Sequence, residues 1–307
     1  MRRSRIPFAP LIAVLLALAL AVTACAGGDT SDRPKITIGA FNFNESLILA
    51  NLYAGVLRKT GYDVDVRKLT TREVIEPALE KGDVEVVPEY VGTLTEFLNK
   101  KANGPDAAPL ASADVPRTVQ ALTMLARPRG LTVLEPSRAA DENAFAVTEA
   151  FAAKNGLVTL SDLARYRGRL ILGGPPECPR RPFCEPGLRR VYGLRFTGFR
   201  SLDAGGPLTK QALTQGTIDV GLVFSSDGAI DALNLRVLDD DKSLQTADNV
   251  VPVVRTAAVK PDLVAALNTV SAALTNADLV AMNRKADVER KSPDGVARDY
   301  LREERLA

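Results

Sequence analysis

The sequence predicts an α/β protein with two lobes around a cleft, on three observations. From Lys35 onward, short apolar runs alternate with stretches of helical spacing, and a second such alternation begins near Asn143. The chain is 307 residues long and 46% apolar, enough for two modest cores rather than one. Strands alternating with helices imply mainly parallel sheets, whose ligands gather beyond the carboxyl ends of the strands.

The chain opens with Arg2, Arg3 and Arg5 ahead of an apolar run from Pro7 to Val22. That run is too short, and too rich in small residues at its end, for a comfortable membrane span, and it predicts a signal peptide over residues 1–24. Val22, Thr23, Ala24 and Cys25 resemble the bacterial lipobox, in which the cysteine becomes the lipidated first residue. Lipid on Cys25 would tie the protein to the outer face of a membrane, with residues 25–34 as a flexible tether. An ordinary signal peptide or an uncleaved anchor is the alternative reading. Loss of residues 1–24 removes three arginines and no acid, turning the formal charge of +2 into about −1, so nothing asks for nucleic acid.

Three strands follow in the first set, within ITIGA, VDVRKL and VEVVPEY, separated by the helices ESLILANLYAGVLRKT and REVIEPALEKG. Tyr90 stands at the end of the third strand. Gly92 breaks the run and TLTEFLNKK resumes as a helix, which puts Thr93 in an amino-terminal turn whose free N–H groups attract anions. Lys101 to Pro116 reads as a surface connection into the helix RTVQALTMLARP. The second set runs through NAFAVT, RLILGG, GLRRVYGL, KQALTQG and IDVGLVF to a further strand, NVVPVVR. Three helical stretches close the chain and are expected to pack on the first lobe.

Cys178 and Cys184 share a proline-rich loop in a compartment that should be oxidising, so a disulfide is the economical reading, with two free thiols as the alternative. The chain has no histidine, which leaves a zinc site short of ligands and FSSDG (Phe224 to Gly228) without a base for a nucleophile. No phosphate-binding loop occurs either. Neither an enzyme, a cofactor nor a metal is expected.

Taken in order, GAFNFNESLILANLYAGVL, ALEKGDVEVVPEYVGT, NAFAV, RPFCEPGLRRVYGLRF, GTIDVGLVFSSDGAI, LRVLDDDKSL and MNRKADVERKSPDGVARDYL resemble the substrate-binding proteins of ABC importers for glycine betaine, choline and related osmoprotectants. The likeness spans nearly all of the chain beyond the leader. It implies a two-lobed periplasmic-binding-protein fold of the type II, flytrap kind with a ligand cleft between lobes. Residues 35–139 and 254–307 would form one lobe and 140–253 the other.

Ligands of that family carry a quaternary ammonium, which has no N–H to donate and is held by aromatic faces, each worth about 0.5 to 2 kcal/mol. Carried over by position, the family's cage tyrosines fall on Tyr90, Phe145, Phe224 and Asp248. The groups that meet a ligand carboxylate fall on Thr93, Arg181 and Phe41, where a lysine is expected. Phenylalanine keeps the ring face and loses the hydroxyl. The cleft is thus expected to be more aromatic, with Phe43 also lining it, and to prefer choline-like or larger, partly aromatic ligands over glycine betaine. The resemblance further implies closure of the lobes on the ligand and delivery to an ABC permease and ATPase. A sensor lipoprotein without a transporter would share the same fold and cleft.

Overall fold

The structure, a computed structural model, describes residues 33–306. The expected signal peptide, the lipidated Cys25 and the tether up to Asp32 lie outside the described residues. Ten strands are present among the described residues: β1 (Lys35–Ala40), β2 (Asp63–Lys68), β3 (Val86–Tyr90), β4 (Leu131–Val133), β5 (Asn143–Thr148), β6 (Ile171–Gly174), β7 (Gly198–Ser201), β8 (Val220–Phe224), β9 (Leu235–Leu238) and β10 (Val250–Arg255). They form two five-stranded sheets, ordered β2-β1-β3-β10-β4 and β7-β6-β8-β5-β9.

Each sheet follows the same plan. In the first, β1 runs parallel to β2 and β3, and β10 lies antiparallel to both β3 and β4. In the second, β6 runs parallel to β7 and β8, and β5 lies antiparallel to both β8 and β9. The antiparallel member is in each case the first strand after the chain passes from one sheet to the other. Four of the five strands in each sheet therefore share one direction, and the expectation of mainly parallel sheets fails only at the reversed strand.

Helix α1 (Asn44–Lys59) is the spine of the first lobe. Its Ile48, Leu49, Leu52 and Tyr53 are buried against β1, and against the helices Pro261–Ala273, Asn276–Asp287 and Pro293–Glu303 through Leu267, Met282 and Leu301. Burying one such side chain is worth about 1.5–3 kcal/mol, so the tail of the chain completes the first core rather than decorating it. The second lobe has two smaller clusters, one on each face of its sheet. Strand β5 divides between them by strict alternation, with Phe145 and Val147 in one and Ala146 in the other.

The expected boundary at residue 253 is corrected by β10, because Val250 pairs with Tyr90 and so already belongs to the first sheet. The two connections between the sheets lie side by side: Ala140 bridges Asn249, and the Asp141 N–H donates to the Asp248 carbonyl at 2.9 Å. Helix α2 (Arg72–Lys81) follows β2, and helix α3 (Val91–Asn103) begins directly after β3 with no intervening loop. Tyr90 is the residue before the first helical turn, in extended conformation.

Candidate functional site

The carboxyl ends of the parallel strands from both sheets open onto one cleft of about 1070 Å³. Phe41 and Phe43 follow β1, Tyr90 ends β3, the Pro175–Cys184 loop follows β6, Leu202 to Gly206 follow β7, and Phe224 ends β8. Ligand sites in open α/β sheets form at such strand ends because the connecting loops there are free to converge.

An aromatic cluster joins the two lobes across this cleft. Phe43 stacks on Phe41 and on Phe224, both at 5.9 Å between ring centroids, and on Tyr90 at 6.5 Å. Phe41 and Phe43 are held because the Phe41 N–H donates to the Ser46 hydroxyl at 2.8 Å, tying the end of β1 to the first turn of α1.

Beside the rings lies a buried acidic group. The Tyr90 hydroxyl donates to Glu45 Oε1 at 2.6 Å, and the Asn283 amide donates to Glu45 Oε2 at 2.6 Å. Ser226 Oγ lies within hydrogen-bond distance of both Glu45 Oε2 and Asp141 Oδ1. A hydroxyl has one hydrogen, so for both contacts to be hydrogen bonds one carboxyl must carry a proton. Asp141 fits that role: burial, and then the charge of Glu45, push its pKa well above the usual aspartate range. Asn283 Oδ1 is buried with no donor, which adds to the negative character of the spot. Burial, and then the charge of Glu45, raise the Tyr90 phenol well above its ordinary value and keep it a donor.

The cations of the inner cleft are paired. Arg72 forms a fork on Glu89, with contacts of 2.8 to 3.1 Å, and its guanidinium lies 5.1 Å from the Phe41 ring centroid. Arg181 reaches from the second lobe to Glu73 on α2 at 2.5 Å, with its guanidinium 5.9 Å from the Phe97 ring. Lys210 pairs with Asp227 at 2.7 Å. The loop that carries Arg181 is closed by the Cys178–Cys184 disulfide, whose Cα atoms are 5.2 Å apart.

Of the seven side chains expected at the ligand, Phe41, Tyr90, Thr93, Arg181, Phe224 and Asp248 line the cleft. Phe145 does not: it is 1% exposed in the second-lobe core, opposite Leu222 and Leu238. Asn143, at the first position of the same strand, reaches the cleft, and Phe145 two residues further on is covered. Asp248 also departs from expectation, for its carboxylate is turned onto Thr93. Glu45, Arg72, Asp141, Ser226 and Asn283 were not legible as site residues. Glu45 reads in sequence as an ordinary acid in a helix's first turn, and only burial at 5% exposure marks it out.

Paired sheets of one strand order, with a shared cleft at their carboxyl ends, define a two-lobed substrate-binding protein. The family described as the substrate binding domain of ABC-type glycine betaine transport system matches residues 34–303, and the chain belongs to it. The chain is 30% identical over 299 residues to a glycine-betaine-binding protein of Pseudomonas aeruginosa, covering 92% of this chain and 93% of that one. It is 29% identical over 279 residues to the glycine betaine-binding protein YehZ of Escherichia coli, covering 87% and 90% respectively. A solved structure titled as a glycine betaine/carnitine/choline ABC transporter aligns with a TM-score of 0.69 at 25% identity, over 88% of this chain and 99% of the other. The chain is thus a substrate-binding component of ABC-type transport, and these relatives are named as binding proteins or a transporter.

Proposed function

We propose that this chain is the extracytoplasmic, lipid-anchored binding component of an ABC importer, and that it takes a quaternary ammonium compound into the aromatic cleft and delivers it to a permease and ATPase. The observation that carries the reading is the placement of Phe43, within 6.5 Å of Phe41, Tyr90 and Phe224, beside the buried carboxyls of Glu45 and Asp141. A methylated cation offers no N–H and suits ring faces, while the carboxyls supply a counter-charge that water does not screen. Rings from both lobes would touch the ligand, so ligand contacts would stabilise the closed arrangement over the open one.

The test is calorimetric titration of residues 26–307, free of leader and lipid, with choline, glycine betaine and 3,3-dimethylbutan-1-ol, an uncharged analogue of choline. An onium compound is expected to bind at least about tenfold more tightly than the uncharged analogue, one aromatic contact being worth that much when water is excluded. Equal binding of charged and uncharged forms removes the reading. The anchor is tested separately: Cys25→Ala should move the protein from the membrane fraction to the soluble one. A second reading, a larger onium compound with an aromatic part, is favoured by the cleft volume of about 1070 Å³, well beyond one small cation.

A further inference from the structure

Helix α3 points its amino-terminal turn at the cleft, and that turn already holds an anion belonging to the protein. Asp248 Oδ1 accepts from the Thr93 N–H at 2.8 Å, and the Thr93 hydroxyl lies 2.9 Å from Oδ2. Thr93 is the third residue of a 13-residue helix, so its N–H is one of the donors that has no partner within the helix. Tyr90, the residue before the helix, makes no side-chain cap of its own.

The segment that delivers Asp248 is locked in place. The Asn249 carbonyl accepts from the Val91 N–H at 3.0 Å, and the Asp248 carbonyl accepts from the Asp141 N–H at 2.9 Å. Gly92 makes the approach possible, since a Cβ there would meet Thr246 Oγ1 at 2.3 Å and the Ala247 carbonyl oxygen at 2.9 Å. Val250 pairs with Tyr90, which puts Asp248 two residues from the strand partner of a ring in the aromatic cluster.

We propose that Asp248 determines the charge type of the ligand: it occupies the donors at the start of α3 that a ligand carboxylate would need, so the site takes onium monocations and rejects short zwitterions. The inference rests on the onium reading above. A zwitterion whose carboxylate is one carbon from its ammonium would bring that carboxylate beside a like charge, with the Thr93 donors already used. The nearest guanidiniums give no alternative, because Arg72 is forked on Glu89 and Arg181 is paired with Glu73. Lys100 and Arg180 line the cleft as well, Arg180 at an exposed position on its wall. A built-in repulsive group of this kind discriminates between ligands without adding any contact to the favoured one.

The experiment is a calorimetric comparison of choline with glycine betaine on the wild-type chain and on Asp248→Asn and Asp248→Ala. Asparagine keeps an acceptor for Thr93 and removes the charge; alanine frees the donors entirely. Wild type is expected to bind choline at least tenfold more tightly than glycine betaine, and both variants are expected to shrink that ratio at least tenfold by gaining affinity for betaine. Wild type binding betaine as tightly as choline overturns the proposal without any variant and leaves the onium reading standing. A ratio unmoved by either substitution, with thermal unfolding confirming that at least one variant is folded, also overturns it. Failure of wild type to bind either compound ends the reading for small onium compounds and this inference with it.

Discussion

The carboxyl ends of β3 and β8 occupy the same place in their two sheets, each beside the strand by which the chain has just crossed, and they have been equipped differently. Strand β3 ends on Tyr90 and passes at once into a 13-residue helix whose first turn faces the cleft. Strand β8 ends on Phe224 and passes into a loop, where Ser226 and Asp227 face the same space with no long helix behind them. The first lobe therefore offers a ring with a hydroxyl and a helix start whose Thr93 donors are taken by Asp248, whereas the second offers a bare ring and a hydroxyl that links two carboxyls. One topology places the groups, and residue choice at and after the strand end decides what chemistry each lobe brings to the cleft.

That contrast is broken most forcibly at the two rings. Tyr90→Ala should cost about 3 kcal/mol of stability, because it empties a 5%-exposed site and strips Glu45 of a donor. Phe224→Ala, at a partly exposed position with no hydroxyl to lose, should cost about 1 kcal/mol. Onium affinity should fall at least about tenfold in both. Urea unfolding and calorimetry separate the two effects, and equal stability losses would mean that the lobes are equipped alike.

Asp248 sharpens the contrast through pH. Burial pushes its pKa up to about 6, with the Thr93 N–H and then the Arg72 charge pulling it back part of the way. A carboxyl whose folded pKa exceeds its unfolded value binds its proton more tightly when folded, so stability falls as pH rises from the unfolded pKa through about 6 and stays lower above that. Asp248→Asn should therefore stabilise the ligand-free chain by about 1–3 kcal/mol at pH 8 and by much less at pH 4.5. Urea midpoints at the two pH values measure the difference, and a variant less stable than wild type at pH 8 would contradict it.

Beside Tyr90, the proton that Asp141 carries next to Glu45 should leave when a cation arrives there. Onium affinity should then weaken as pH falls, by at most about tenfold per unit, and binding heats in two buffers of different ionisation enthalpy should reveal a released proton. Affinity independent of pH would place the cation away from Glu45, Asp141 and Tyr90. The smallest effect is expected at the contact between lobes made by Arg181 and Glu73, whose side chains are 27% and 52% exposed. Arg181→Ala should change stability by no more than about 1 kcal/mol, read from the unfolding midpoint.

How far the site could be read in advance follows from the range of the forces involved. Tyr90 was legible because a strand end is a local event, announced by the change of period and by Gly92, whereas Phe224 entered only through the resemblance to the family. Phe145 misled for the converse reason: its strand was legible, but whether a ring two residues into a strand is covered depends on what packs above it. Strands β4, β7 and β9, three or four residues each, were missed, because so short a run acquires its extended form from its neighbours' hydrogen bonds rather than from its own side chains. The boundary after residue 253 failed on the same ground, since Val250 is assigned to the first sheet only by its partner Tyr90.

By itself the sequence determined the alternation of strands and helices, the two sets, the aromatic residues at the strand ends and the cysteine pair, all of which rest on periodicity or on neighbours a few positions away. The tertiary structure alone decided which polar groups meet. Thr93 and Asp248 lie 155 positions apart, and Glu45 and Asn283 lie 238 apart. A carboxylate's partner and its proton affinity depend on burial and on distances of a few ångströms, and those exist only once the two sheets face each other.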